Sequence, residues 1–421
     1  MTINKGASTP RSPRRARMGL AASMLLLTAA CGGGGGDQAG DDGDGPIKVG
    51  SILDETGPLN IYGTAMTDAT KLAIKDINES GGVMGQELEL VSYDAQSDNA
   101  KYTQYANQAA QRDQVAVLMG GVTSASREAV RPVAERTETL YFYNEQYEGG
   151  VCDKNTFNTG VVPSQQLAAL IPYAVENFGP KLYVVAADYN YGQISAEWVK
   201  RYAEEAGGEV VDTEFIPLES SEFGSVINGL QTSKPDAVIS LLVGGNHIAF
   251  YRQFASAGLG ESMEIASPTF GLGNEQGVLS NEAEGITVAF PYFQELESDA
   301  NAEFLEMWHA EYGDDYPYVT DSAVAVWNGW HLWAEAANAA DSLEREVVID
   351  ELESGVTYDG PGGTVTMDGP SHHLVQNIAI GEGNGENGFE VLSTEESVPP
   401  SFEQEVCDLV SEPDINQQFT P

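Results

Sequence analysis

Two stretches decide how this chain folds: Ile47-Lys-Val-Gly-Ser-Ile-Leu53 and Tyr62-Gly-Thr-Ala-Met-Thr-Asp-Ala-Thr-Lys-Leu-Ala-Ile-Lys-Asp-Ile-Asn-Glu79. The first is a short apolar run of the kind that forms a strand covered on both faces. In the second, Ala65, Ala69, Leu72, Ala73 and Ile77 recur at helical spacing, and Gly81-Gly82 stops the helix. The alternation continues with strand 88–93, helix 99–112, strand 115–119, helix 124–136 and strand 139–143. It then starts again with helix 164–178, strand 182–186, helix 195–205, strand 210–215, helix 223–231, strand 237–243, helix 248–257 and a short strand at 265–268. Strands alternating with helices imply parallel sheets covered on both faces.

Residues 287–291 begin a return, followed by helices near 300–312 and 322–340 and, from Val356, by a Gly-rich part with short strands at 363–367, 374–380 and 389–392. The expected fold class is therefore α/β with two lobes, each a parallel sheet flanked by helices, and several crossing strands between them. We expect lobe I over 46–162 plus 291–358, lobe II over 163–290 plus 359–395, and a C-terminal tail over 396–421. Ligands of such sheets sit outside the carboxyl ends of the strands, so the expected site is a cleft between the lobes.

The amino terminus is set apart from the fold. Lys5, Arg11, Arg14, Arg15 and Arg17 precede the apolar run Met18-Gly-Leu-Ala-Ala-Ser-Met-Leu-Leu-Leu-Thr-Ala-Ala30, which is short for a membrane span and suits a secretory signal over 1–30. Arg14-Arg15 leaves a twin-arginine export route open beside the general one. Small residues lead directly into Cys31, an arrangement that resembles a bacterial lipoprotein signal and implies a lipid on Cys31. The Gly- and Asp-rich segment 31–45 reads as a flexible tether.

The chain has 20 Lys+Arg against 64 Asp+Glu, and no acid lies in the first 30 positions. A body this acidic repels phosphate backbones and excludes nucleic acid as a partner. Cys152 and Cys407 are the two cysteines of the body. In an exported chain they can oxidise to one intramolecular disulfide; a pair of buried thiols is the alternative.

No Gly-x-Ser-x-Gly elbow is present, no cysteine or histidine spacing suits a metal, and no cofactor is expected. Gly271-Leu-Gly-Asn-Glu-Gln-Gly277 falls one residue short of a dinucleotide fingerprint and reads as a loop. The neighbouring His372 and His373 would point to opposite faces of a strand, which favours a structural role. What recurs instead is a set of small polar and aromatic residues at strand-to-helix junctions. Gly120-Gly-Val-Thr-Ser-Ala-Ser126 opens a helix, with Ser124 placed as cap or ligand contact. Tyr141-Phe-Tyr-Asn-Glu-Gln-Tyr-Glu148 and Asp188-Tyr-Asn-Tyr-Gly192 put aromatics beside acids, which suits a cleft holding a small amphipathic solute.

Ile47-Lys-Val-Gly-Ser and Asp76-Ile-Asn-Glu-Ser-Gly-Gly-Val-Met-Gly85 resemble the opening of the type I periplasmic binding proteins that serve ABC transporters of branched-chain amino acids. Thr123-Ser-Ala-Ser-Arg-Glu-Ala-Val-Arg-Pro-Val-Ala-Glu135, Gln146-Tyr-Glu-Gly149, Asp188-Tyr189 with Tyr191, and Pro291-Tyr-Phe293 are similar to the urea and short-chain amide branch. The resemblance spans about residues 46–395 and implies a solute-binding protein, not an enzyme, that closes on a urea, amide or amino acid and docks on membrane permease subunits. It implies ligand contacts from Thr123, Ser124, Tyr143, Glu145, Tyr189, Tyr191, Gly244, Gly245 and Asn246, with Asp321 in addition. Asn144-Glu145 departs from the amide binders, and its extra carboxylate could receive an ammonium or amidinium group. A sensor of the same fold is the alternative function. The implied location is outside the cytoplasm, lipid-anchored to the cell membrane.

Overall fold

The computed structural model describes residues 45–421; the expected signal, Cys31 and the tether up to residue 44 lie outside them. The first sheet is built from β1 (Ile47–Leu53), α1 (Asn60–Glu79), β2 (Leu88–Asp94), α2 (Asn99–Gln108), β3 (Val117–Gly120), α3 (Ser124–Thr137), β4 (Leu140–Tyr143), β5 (Val151–Asp153) and β6 (Thr156–Asn158). Its strand order is β2-β1-β3-β4-β6, all parallel. β1 is buried on both faces except at Lys48, as a central strand requires. It pairs in register from Ile47 opposite Leu88 to Leu53 opposite Asp94. The helix expected over 99–112 is α to Gln108 and widens to π geometry over Ala109–Asp113.

The second sheet follows with α4 (Gln166–Asn177), β7 (Lys181–Ala187), α5 (Asn190–Glu205), β8 (Glu209–Ile216), α6 (Gly224–Ser233), β9 (Ala237–Leu241), α7 (Asn246–Ser256), β10 (Glu264–Ala266), α8 (Glu275–Leu279) and β11 (Thr287–Phe290). These strands run parallel in the order β8-β7-β9-β10-β11. β8 is the edge, and its outward Phe215 is 43% exposed.

The chain then returns through α9 (Asp299–Tyr312), α10 (Asp321–Ala340) and α11 (Arg345–Glu353). α10 is buried along most of its 20 residues and lies against α1, where Trp330 Nε1 donates to Thr70 Oγ1 at 3.3 Å. β12 (Thr357–Gly360) and β13 (Gly363–Asp368) form a hairpin, and β14 (His373–Gly383) pairs first with β13 and then, antiparallel, with β11. β15 (Phe389–Val398) covers the far side of β14. The tail adds α12 (Ser401–Val406) and β16 (Asn416–Gln418); β16 pairs antiparallel with β5. Cys152 on β5 and Cys407 after α12 form a disulfide with a Cα–Cα distance of 5.6 Å. Leu409 is buried beside it, with Ile415 and Phe419 packed against the same cluster.

β5, β6, α8, α11 and the tail elements were not expected from the sequence. Strands of three residues are too short to show an alternation, and α11 buries only Val348, Ile349 and Leu352 in a polar helix. Among the described residues no helix is long and apolar enough to cross a membrane.

Candidate functional site

The turn that ends β3 is built from glycine. Gly120 (φ 123°) and Gly121 (φ 94°) take left-handed backbone, and a Cβ on Gly120 would stand 2.2 Å from the Ile52 carbonyl oxygen. This tight passage directs Val122, Thr123 and Ser124 past the end of the sheet. Thr123, not Ser124, caps α3: its hydroxyl accepts from the Ser126 N–H at 3.1 Å, while the Ser126 hydroxyl accepts from the Thr123 N–H at 3.0 Å. Ser124 is thereby released from capping, and its hydroxyl donates to the buried Glu148 carboxylate.

A cleft of about 310 Å³ opens at these junctions, lined by Tyr62 on α1, by Val122, Thr123 and Ser124 after β3, and by Glu145 and Gln146 after β4. From the second lobe come Tyr189 and Tyr191 after β7, Val243 after β9, and Thr269 and Leu272 after β10. Both halves contribute residues beyond the carboxyl ends of parallel strands, so the two sheets close on one space. Contacts between the two sides include the Gly244 N–H donating to Tyr62 Oη at 2.7 Å, Gln146 Nε2 to Tyr191 Oη at 3.2 Å, and Asn190 Nδ2 to Glu148 Oε1 at 3.4 Å. Behind it, the buried Gln166 amide nitrogen reaches Gln146 Oε1 and the carbonyls of Pro268 and Ala289, at 2.8–2.9 Å each.

The electrostatics of the cleft are set by carboxylates. Glu145 Oε1 accepts from the Gln146 N–H at 2.9 Å, and Oε2 is buried without a hydrogen-bond partner among the described residues. Burial pushes this carboxyl up to about 7. Glu275 Oε2 accepts from the Gly271 and Gly273 N–H groups at 2.9 and 3.0 Å, Oε1 is likewise unpartnered, and burial again pushes the group up to about 7. Among the described residues neither Lys nor Arg lines the cleft. The nearby buried cation, Arg127, is turned away: Nη2 donates to Glu148 Oε1 at 2.8 Å and the guanidinium lies 4.4 Å from the Tyr147 ring centre.

Thr123, Ser124, Glu145, Tyr189 and Tyr191 are thus brought together by the fold. The other expected contacts stand apart. Tyr143 is fully buried beneath Arg127, whose guanidinium is 5.3 Å from its ring centre, and does not line the cleft. Gly244 offers its N–H to Tyr62; Gly245 has open space where a Cβ would stand; Asn246 is buried with both amide atoms unpartnered among the described residues. Asp321 accepts from the Tyr292 N–H at 3.0 Å and faces a separate small cavity with Thr159 and Asn328; burial, then the charge of Glu145, pushes it well up. Tyr62, Gln146, Thr269 and Leu272 line the cleft without having been singled out, and the stretch 271–277, expected as a loop, turns into α8 at Glu275 and holds that residue close by. The signal for Thr269 and Glu275 was their place after the short strand at 265–268, the same junction position used elsewhere.

The two histidines have separate partners: His372 stacks on Phe157 at 3.9 Å and meets Glu353, while His373 meets the Tyr147 hydroxyl. Among the described residues no group of three or more His, Cys, Asp and Glu could hold a metal ion.

The sequence profile of the family described as periplasmic binding protein matches residues 46–388, and the chain belongs to that family. It is a two-lobed solute-binding protein of type I fold, not an enzyme. Among its relatives is the Leu/Ile/Val-binding protein homolog 7 of Brucella abortus, 22% identical over 290 residues, or 64% of this chain and 71% of that one. The leucine-, isoleucine-, valine-, threonine-, and alanine-binding protein of Pseudomonas aeruginosa is 27% identical over 254 residues, 58% and 66% of the two chains. The chain superposes on an ABC transporter solute-binding protein of Rhodopseudomonas palustris in complex with 3,4-dihydroxybenzoic acid, at TM-score 0.76 and 22% identity, covering 85% of this chain and 99% of that one. The branched-chain amino acid binding protein LivJ of Streptococcus pneumoniae, in complex with isoleucine, gives TM-score 0.72 at 21% identity, over 84% and 100%.

Proposed function

We propose that this chain is the extracytoplasmic solute receptor of an ABC importer, anchored by a lipid on Cys31, and that it captures a small amino acid in the cleft between its lobes. One observation carries the choice of solute: a buried carboxyl, Glu145, stands on the lining and a second, Glu275, lies close to the lining residue Tyr62, while among the described residues no Lys or Arg lines the cleft. Such a site attracts an ammonium group. The Val122 and Thr123 N–H groups are taken by the Ser126 hydroxyl, so at the start of α3 the backbone N–H of Ser124 is the group offered as the opposite pole, since a helix N-terminus favours a carboxylate.

Relatives named for leucine, isoleucine and valine support the same class. An aromatic monoacid, as bound by the Rhodopseudomonas neighbour, would set a carboxylate near two carboxylates with no counter-cation on the wall. A neutral amide or urea remains a second reading for one reason: a carboxyl pushed up to about 7 carries a proton below that pH and can pair with an amide as a neutral acid.

Calorimetric titration with L-leucine, L-threonine, acetamide, urea and benzoate tests the class. Ser124→Ala and Tyr189→Ala are each expected to weaken binding by about 1–3 kcal/mol, with little change in the melting point of the empty protein. Unchanged affinity in both variants would remove the cleft from consideration. Mass spectrometry of the mature protein checks the anchor, which requires a diacylglyceryl cysteine at position 31.

A further inference from the structure

The family match ends at residue 388, yet the chain continues and folds back against the segment Glu148–Asp153. β16 lies beside β5, and the Phe419 N–H donates to the Gly150 carbonyl at 2.8 Å. Glu403 on α12 accepts from the Gly150 N–H at 3.0 Å and from the Ser164 hydroxyl at 2.7 Å. Gln418 Nε2 reaches Glu148 Oε1 at 2.7 Å and the Gly149 carbonyl at 2.9 Å. Glu148 is fully buried and is the group to which the Ser124 hydroxyl donates. Its other partners are Arg127 on α3 and Asn190 on α5, and its backbone carbonyl accepts from Trp198 Nε1 at 3.0 Å.

We propose that Gln418 is a positioning residue for the cleft, acting through Glu148 on Ser124, and that the disulfide-pinned tail exists in part to hold it there. A buried carboxylate stays in one place only when its lone pairs are filled. With Gln418 and Arg127 on Oε1, Oε2 is left to take the Ser124 proton. The Ser124 oxygen then faces the cleft with its lone pairs, so this side chain accepts hydrogen bonds and favours solutes that donate N–H to it. Glu148 is thus the joint between a segment outside the family match and the residue most central to the site. The Cys152–Cys407 bond ties the end of α12 to β5, the same strand on which β16 pairs.

This rests on the cleft reading above, so the test has one arm without a ligand. Hydrogen exchange of the full chain is compared with Gln418→Ala and with Gln418→Glu, which sets a like charge against Glu148. Faster exchange is expected over residues 122–127 and 148–151, in the order wild type, Gln418→Ala, Gln418→Glu. In the second arm, L-leucine affinity by calorimetry is expected to fall about five- to tenfold in Gln418→Ala and further in Gln418→Glu. Unchanged exchange over 122–127 in both variants overturns the proposal. So does faster exchange with unaltered affinity, since a purely structural tail would produce that. If L-leucine fails to bind the wild-type chain, the amino-acid reading falls and exchange alone decides for or against the tail.

Discussion

Glu145 and Glu275 act in opposite directions on the empty and the occupied protein. Each carboxyl has an ordinary value of 4.5 and is pushed by burial to about 7. Between those values the folded protein holds protons that the unfolded chain releases. Stability of the empty protein therefore falls as pH rises from 4.5 to about 7, by up to about 3 kcal/mol per group. Melting curves across that window should show the decline, and Glu145→Gln or Glu275→Gln should flatten it. Affinity for an ammonium-bearing solute should rise over the same window as the carboxylates ionise. Glu145→Gln should cost such a solute about 1.5–3 kcal/mol and leave a neutral amide unaffected or better bound, which titration at pH 8 separates. Glu145 was legible in the sequence because it departs from the amide-binder pattern. Glu275 was hidden at the start of the short α8 in a Gly-rich stretch, and only burial and the N–H groups of Gly271 and Gly273 reveal it.

Among the elements, α3 carries the greatest functional weight. Its first turn faces the cleft, and its cap is the Thr123–Ser126 box. Thr123→Ala removes that cap and should lower stability by about 1 kcal/mol, read as a fall in urea midpoint; Thr123→Ser should retain most of it. The alternation 47–143 marked the first sheet well because β1, β3 and β4 are buried on both faces and the helices between them carry an apolar stripe. The short strands β5 and β6 escaped notice, although the tail strand docks on one and β4 on the other. A disulfide closing a loop of 255 residues should contribute about 2–4 kcal/mol by restricting the unfolded chain. Cys152→Ser with Cys407→Ser should lower the melting point accordingly, read by calorimetry.

For the molecule as a whole, charge and closure dominate. With 64 acidic and 20 basic residues, like-charge repulsion opposes the compact state. Raising salt from about 0.01 to 1 M shortens the screening length from about 30 to 3 Å. The melting point of the empty protein should rise across that range, as light-scattering-controlled calorimetry can follow. A solute that bridges both lobes stabilises the closed form. At a hundredfold excess over its dissociation constant it should add about 2.7 kcal/mol, visible as a thermal shift and a smaller radius in solution scattering.

By itself the sequence determined the α/β class, the doubling into two lobes and the strand-to-helix junctions where Thr123, Ser124, Glu145, Tyr189 and Tyr191 stand. These follow from local periodicity and from glycine at sharp turns, which act over a few residues. Tertiary structure alone decided that Tyr143 lies under Arg127, that Asp321 faces another cavity, that Tyr62, Thr269 and Glu275 belong with the cleft, and that Gln418 reaches Glu148. Those relations join residues as far apart as 270 positions. They depend on how buried charges find partners when the lobes close, a condition that no local pattern encodes.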